Sequence, residues 1–186
     1  MDIYFLGFTA VRIRGKRASL VIDPFSKETT GAKFERTEAD AILVSTKNSS
    51  RTSLVQVSNA RVVIDGPGEY EVGGVTILGI PIGNVTTYVI KIDGITGLHL
   101  GDITRVLSDS EIEKYPSTDI LFVSVGKETP DVIAKLEPKI VIPMEFTSET
   151  LALFLKELGK EGVRRQSKLT ITKEKLPSEL EVVVLE

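Results

Sequence analysis

This chain of 186 residues has almost no imidazole or thiol side chains, the groups that most often carry nucleophilic, acid–base or zinc chemistry. It contains one histidine, His99, and no cysteine. Disulfides, thiolate metal sites, iron–sulfur clusters, cysteine nucleophiles and a zinc site built from three histidines are therefore excluded within one chain. A serine nucleophile at Ser49 or Ser50 would have only His99 as its base, and neither serine has a base nearby in the sequence.

Asp102, Glu145 and His99 are the candidate catalytic residues. The two carboxylates, Asp102 and Glu145, could together hold a hard cation such as Mg²⁺ or Ca²⁺. His99 could act as a general base. It lies within an apolar strand pattern, however, and this favours a structural histidine that is hydrogen-bonded near the strand end. Asp23 precedes Pro24, and this pair predicts an Asx-type turn.

A hydroxyl-rich segment at residues 46–53 carries two cations, Lys47 and Arg51. Backbone amides at a strand-to-helix turn can bind a phosphate, so these cations, together with Arg105, are candidates for binding a small anion. The segment lacks the glycines of a P-loop, so its match to any nucleotide motif is weak. A solvated loop that ends in a helix N-cap is the alternative interpretation.

Hydrophobic patterning and turn residues predict the elements that must position these side chains. Strands are predicted at residues 3–6, 10–14, 18–22, 41–45, 61–64, 69–72, 75–82, 86–92, 97–100, 119–125, 139–144, 169–172 and 182–185. Helices are predicted at residues 108–115, 130–136 and 151–158. These elements predict sheets covered by helices, within one domain at residues 1–186.

Charge and hydropathy exclude several classes of partner. The 23 basic residues against 26 acidic ones give a formal net charge of −3, which predicts no nucleic-acid partner. No apolar run approaches the roughly 20 residues that span a bilayer, so no membrane partner is expected. The first residues lack a basic region followed by a long apolar run, and a signal peptide is therefore not predicted. We expect a cytoplasmic protein.

Six segments resemble, in order along the chain, the metallo-β-lactamase-fold superfamily. They are residues 4–9, 21–25, 40–45, 66–72, 98–102 and 141–144, with the sequences YFLGFT, VIDPF, DAILVS, GPGEYEV, LHLGD and VIPM. The similarity is to the small zinc-dependent-hydrolase-like branch, which is related to ascorbate-phosphate lactonases. It implies an α/β fold: a four-layer αβ/βα sandwich of two facing sheets with helices outside, and a pocket at one edge.

The metal ligands that this resemblance implies are almost all replaced. The superfamily's H-x-H-x-D-H motif would fall on residues 46–51. The superfamily's metal-bridging aspartate corresponds to Asp102, and its last metal-binding histidine corresponds to Glu145. The positions that correspond to ligands are Thr46, Asn48, Ser50, Arg51, Asp102 and Glu145. Hydroxyls and a carboxamide are poor zinc ligands, and arginine brings a fixed positive charge. The resemblance implies zinc, but these replacements predict that no zinc cofactor is held.

An arginine side chain could take over the charge of the lost metal. Burying a lone carboxylate is costly, and a bidentate guanidinium offsets that cost. We therefore expect Arg51 or Arg105 to lie within hydrogen-bond distance of Asp102 or Glu145. A structure in which neither arginine reaches either carboxylate would contradict this hypothesis.

Three functions remain open from the sequence. The first is a catalytically silent pseudo-hydrolase that acts in binding or assembly, with a homo-oligomer as a possible form. The second is a hydrolase with rebuilt chemistry around Asp102 and Glu145, using a hard cation or no metal. The third is a protein that binds a small anion or phosphate ligand through Lys47, Arg51 and Arg105.

Overall fold

A computed structural model describes residues 1–46 and 51–186. Its strands are β1 (Asp2–Gly7), β2 (Ala10–Arg14), β3 (Ser19–Ile22), β4 (Thr37–Glu38), β5 (Ala41–Leu43), β6 (Val57–Ser58), β7 (Val62–Ile64), β8 (Gly68–Val72), β9 (Val75–Ile82), β10 (Val85–Ile92), β11 (Ile95–His99), β12 (Ile120–Ser124), β13 (Ile140–Met144), β14 (Leu169–Thr170) and β15 (Glu181–Val182). Its helices are α1 (Lys27–Thr30), α2 (Asp109–Ile112), α3 (Thr129–Leu136) and α4 (Ser148–Glu157), and a 3₁₀ turn spans Lys173–Lys175.

Two large sheets face each other across one apolar core. The six-stranded sheet has the order β14-β1-β2-β3-β5-β7, and the seven-stranded sheet has the order β15-β13-β12-β11-β10-β9-β8. Ile13 and Leu20 of the first sheet share a buried cluster with Ile77 and Ile90 of the second. Side chains alternate between the two faces of a strand, so each sheet buries one row of residues against the other sheet.

The outer faces of the two sheets are covered differently. Val132 of α3 and Phe154 of α4 pack with Val89 and Leu98 on the outside of the seven-stranded sheet. The outside of the six-stranded sheet is covered by the segment that contains the one-turn helix α1, through apolar residues such as Phe34. This arrangement confirms the predicted αβ/βα sandwich. No helix in the described part of the chain is long and apolar enough to cross a membrane.

The termini of some elements differ from the prediction. The Ser108 capping box forms as predicted, because Ser108 accepts from the backbone of Glu111 and the Glu111 side chain accepts from the backbone of Ser108. The helix ends at Ile112 rather than at residue 115. Tyr115 hydrogen-bonds Thr87 instead, at 3.0 Å, and Pro116 follows it. The last strand, predicted at residues 182–185, spans only Glu181–Val182. Helix α1 was not predicted, since its four residues bury none of their side chains.

Candidate functional site

A small pocket lies where several parallel strands end. Strands β3 and β5 are parallel, as are β11, β12 and β13. Parallel strands end at the same edge of a sheet, so the residues just after them converge there. The pocket is lined by Phe8, Thr9, Asp23, Phe25, Ser45, Thr46, Arg51, Thr52 and Asp102. Its volume is about 20 Å³, which is room for about one water molecule.

Arg51 and Glu145 form an ion pair beside this pocket. The Arg51 Nη1 atom donates to Glu145 Oε1, and the guanidinium lies 5.4 Å from the centre of the Phe8 ring. The Glu145 backbone N–H donates to the Phe8 carbonyl at 3.0 Å, so the same short segment orients both charged partners. This is the contact expected of a guanidinium that replaces the charge of a metal ion.

Arg105 does not reach the pocket carboxylates. Its guanidinium forms two hydrogen bonds with Glu111, from Nη1 to Oε2 at 2.9 Å and from Nη2 to Oε1 at 2.6 Å. These bonds lower the pKa of Glu111 to about 2. Of the two arginines that were candidates for this role, Arg51 therefore reaches a pocket carboxylate and Arg105 does not. The physical reason is local: the Glu111 carboxylate already faces Arg105 as part of the Ser108 capping box.

Asp23 holds the loop that follows β5. Its carboxylate accepts from the Ser45 backbone N–H at 2.6 Å and from the Ser45 hydroxyl at 2.7 Å. Asp23 itself adopts a left-handed conformation, with φ of 49°, and its N–H donates to Leu43 at 2.9 Å. The predicted local Asx-type turn is thus replaced by a bond between the ends of two neighbouring strands. Asp23 positions the segment that leads to Thr46.

Asp102 and Thr46 both line the pocket, and in the described part of the chain their side chains do not hydrogen-bond each other. The Thr46 hydroxyl oxygen is buried and has no hydrogen-bond partner in the described part of the chain. Within residues 1–46 and 51–186, no hydrogen bond reaches the Asp102 carboxylate from another side chain. Residues 47–50 lie outside the described residues. The role of Lys47 in an anion site, a nucleophile at Ser49 or Ser50, and the ligand positions Asn48 and Ser50 therefore stay predictions.

The donor set at this pocket does not fit zinc. Structural and catalytic zinc sites need at least three protein ligands from histidine, cysteine or carboxylate. Within the residues that the structure describes, no group of three such side chains is close enough to hold a metal ion. Two of the three nearby carboxylates already have partners. Glu145 is paired with Arg51, and Asp23 accepts two hydrogen bonds from Ser45. Asp102 is then the one carboxylate of the three that remains as a zinc ligand, which is too few for a zinc site.

His99 is fully buried below the pocket, and both of its ring nitrogens are used. Its Nδ1 atom accepts from the Gly101 N–H at 3.1 Å. Nε2 must then carry the proton, which it donates to the Thr9 carbonyl at 2.9 Å. A general base needs a free lone pair that faces the substrate. This geometry favours the structural interpretation of His99 over the catalytic one.

The burial of His99 gives the protein a predicted pH dependence. Burial lowers the pKa of His99, so below about pH 6.5 the unfolded chain binds a proton that the folded chain does not. The free energy of unfolding should therefore fall by up to about 1.4 kcal/mol per pH unit as the pH drops below that value, and should be insensitive to His99 above it. Urea unfolding between pH 7.5 and 5 measures this slope.

The control for this prediction is the variant His99→Gln, whose carboxamide does not titrate. Because His99 is the only histidine in the chain, the difference between the two pH profiles isolates its contribution. Parallel profiles for the wild type and His99→Gln would contradict the prediction.

The comparison with known proteins agrees with this architecture. Two facing sheets with a pocket at the ends of parallel strands form the metallo-β-lactamase fold. Residues 2–145 match the family described as the beta-lactamase superfamily domain. The chain belongs to the metallo-β-lactamase superfamily.

Individual relatives are similar over most of their length. A metal-dependent hydrolase from Thermococcus onnurineus is 28% identical over 193 residues, which cover 80% of this chain and 85% of the relative. A metal-dependent hydrolase from Pelotomaculum thermopropionicum is 28% identical over 198 residues, with the same two coverages of 80% and 85%.

Solved structures show the same fold. The crystal structure of a Thermotoga maritima protein, classed as a zinc-dependent hydrolase of the metallo-β-lactamase superfamily, matches with a TM-score of 0.82 and 29% identity. The match covers 100% of this chain and 98% of that one. The metallo-hydrolase Igni18 from Ignicoccus hospitalis has a TM-score of 0.65 at 13% identity, over 92% of this chain and 99% of its own. That similarity concerns the fold alone.

Proposed function

We propose that this chain is a catalytically silent member of its hydrolase family, a pseudo-hydrolase that acts by binding or assembly. The observation that carries the proposal is the ion pair between Arg51 and Glu145. By sequence resemblance, both residues stand at positions where the family has metal ligands. The Arg51 guanidinium supplies the positive charge that Glu145 would otherwise receive from a metal ion, and it repels any metal cation that approaches.

The size of the pocket also supports this proposal. A volume of about 20 Å³ admits one water molecule but no ester, lactone or phosphate group. The side chains that close the pocket include Phe8, Phe25 and Arg51. Phe8 and Phe25 pack edge to face with their ring centres 5.0 Å apart, and such a contact resists opening. The same small volume argues against the small-anion function.

The test is zinc binding and hydrolysis by two proteins, the wild type and a variant with the ligands restored. The variant carries Thr46→His, Asn48→His, Ser50→Asp, Arg51→His and Glu145→His and keeps Asp102. We expect no stoichiometric zinc on the metal-stripped wild type after titration, measured by calorimetry and elemental analysis. The variant is expected to bind zinc, because it regains imidazole and carboxylate ligands. Circular dichroism verifies that it folds.

The matched control adds Asp102→Asn to the restored variant, and should weaken its zinc binding. Stoichiometric zinc on the wild type that is lost in Asp102→Asn would overturn the proposal. So would hydrolysis of lactone or phosphodiester substrates by the wild type that is lost in Asp102→Asn or Glu145→Gln, because that result would support rebuilt chemistry at these carboxylates.

A further inference from the structure

Arg12, in the middle of β2, has no acceptor for its guanidinium among the residues that the structure describes. Its Nε atom is buried without a hydrogen-bond partner, and its side chain forms no ion pair there. Buried arginine donors are normally paired, because an unpaired donor costs stability. A contact with the Tyr4 ring, whose centre lies 6.0 Å from the Arg12 Cζ atom, orients the guanidinium. Arg12 is thus held in place while its acceptor is missing from the described part of the chain, which points to an acceptor on a ligand.

The outer face of the six-stranded sheet is open beside Arg12. Ile13 points into the core between the two sheets, so Arg12 and Arg14 lie on the opposite face of β2. In the pairing with β1, Arg12 lies opposite Tyr4 and Arg14 lies opposite Asp2. The covering segment that contains α1 packs against the start of β2, whereas Arg14 at its other end is exposed. A ligand can therefore approach this end of the face from solvent.

Lys168 brings a third cation close to the same place. The Thr170 hydroxyl donates to the Asp2 carboxylate at 2.7 Å, across the pairing of β14 with β1. This hydrogen bond lowers the pKa of Asp2, and the positive charges of Lys168 and Arg14 lower it further. Both cations therefore lie near Asp2, but neither forms a hydrogen bond or an ion pair with it within the described residues.

A second carboxylate beside β2 is also bound elsewhere. Ser19 of β3 lies opposite Arg14, and its N–H and hydroxyl donate to Asp40 at 2.8 and 3.1 Å. In the part of the chain that the structure describes, Asp40 forms no ion pair with Arg12 or Arg14. The positive charge on this face is therefore available to an anion from solution.

A phosphate group fits these cations better than a carboxylate does. Residues two apart in a strand have Cα atoms about 6.5 Å apart, so the guanidinium groups of Arg12 and Arg14 can contact one anion. A phosphate monoester carries up to two negative charges and three terminal oxygens, enough to accept from several cations at once. A carboxylate has one charge and two oxygens, which a single guanidinium already satisfies.

We propose that Arg12, Arg14 and Lys168 form a binding site for a phosphate monoester on the outer face of the six-stranded sheet. This inference goes beyond the proposed function by naming a ligand class for a separate place on the molecule. Thr9, just before β2, lines the small pocket, whereas Arg14 is at the far end of that strand. Loss of zinc and binding of phosphate can therefore each fail without the other.

The first test is titration of the wild type with inorganic phosphate and with glycerol phosphate, against chloride at equal ionic strength. We expect saturable binding that shifts the nuclear magnetic resonance signal of the Arg12 side chain and raises the melting temperature, because the ligand binds the folded state. Vesicles with and without phosphatidic acid test whether the monoester is a lipid headgroup. Binding to these vesicles without binding of the soluble probes would assign the site to lipid.

The second test is a set of variants that change the charge by one. Arg12→Gln should weaken binding of the same probe at least tenfold, about the effect of losing one charged hydrogen-bonding partner. Arg12→Lys should also weaken it, because lysine keeps the charge but lacks the planar fork of donors. Lys168→Gln should cost about two- to fivefold, as expected for an exposed charge. Circular dichroism verifies that each variant folds.

The matched control is Arg61→Gln, which removes an exposed arginine next to β7, at the opposite edge of the same sheet. It should bind the probe as the wild type does. The proposal is overturned if neither soluble phosphates nor phosphatidic acid vesicles bind the wild type more strongly than chloride or plain vesicles do. Equal affinities of Arg12→Gln and the wild type would overturn it as well, and so would equal losses in Arg12→Gln and Arg61→Gln.

Discussion

Replacement of His99 by leucine is expected to lower the free energy of unfolding by roughly 2–6 kcal/mol. Leucine has a similar volume but no polar atoms, so the Thr9 carbonyl and the Gly101 N–H lose their partners. Each buried backbone group that is left without a hydrogen bond costs about 1–3 kcal/mol. His99 is entirely buried, at 0% exposure, and water cannot replace the imidazole without opening the core. Denaturant unfolding at pH 7.5 measures the loss.

His99→Gln is the control for this loss. Its carboxamide keeps one donor and one acceptor, so it should be less destabilising than leucine. If leucine were as stable as the wild type at pH 7.5, the two hydrogen bonds would contribute nothing. His99 would then need another explanation for its burial, and a role in the pocket would become the better interpretation.

Gly101→Ala is the second substitution with a large expected effect, a loss of roughly 2–5 kcal/mol in the free energy of unfolding. Gly101 has φ of 65°, and a left-handed conformation costs an L-residue about 1–2 kcal/mol. A Cβ atom at this position would also lie 2.9 Å from both Ser45 Oγ and Val85 Cγ1. Overpacking of this kind adds about 1–3 kcal/mol. Ser45 is held by Asp23, so it cannot move aside freely.

Gly159→Ala separates the two causes of this loss. Gly159 has φ of 63° but no atom within 4 Å of the added Cβ, so it should lose only the conformational part, about 1–2 kcal/mol. Thermal or urea unfolding of both variants gives the difference, which reports the steric contact under the pocket. Equal losses for Gly101→Ala and Gly159→Ala would mean that the Ser45 loop yields to the new methyl group.

The sequence predicted the sheets well because their signals are local. The turns at Gly73-Gly74, Gly83-Asn84 and Asp93-Gly94 join β8 to β11 with two residues each, and glycine at such turns is a strong indicator. The Ser108 capping box is equally local. Helix α1 was missed because its four residues are all at least partly exposed and show no hydrophobic period.

The contacts of the pocket were harder to predict, because they join residues distant in sequence. Arg51 and Glu145 are 94 positions apart, and only the resemblance to a metal site suggested that they meet. Asp23 and Ser45 are 22 positions apart, and nothing in either segment indicates that a carboxylate accepts from that particular serine. Arg105, the alternative donor, bonds Glu111 instead, because a helix cap six positions away presents that carboxylate to it.

The pairing of β1 with β14 has a consequence for the order in which the chain folds. Asp2 pairs with Thr170, so the chain must close a loop of 168 positions before this edge forms. Loop-closure entropy grows with the logarithm of that length, whereas the meander from β8 to β11 closes through adjacent turns. The meander is therefore the part of the molecule suited to nucleate folding. The pairing of β1 with β14 is therefore expected to form late in folding. A substitution that weakens this pairing should speed unfolding more than it slows folding.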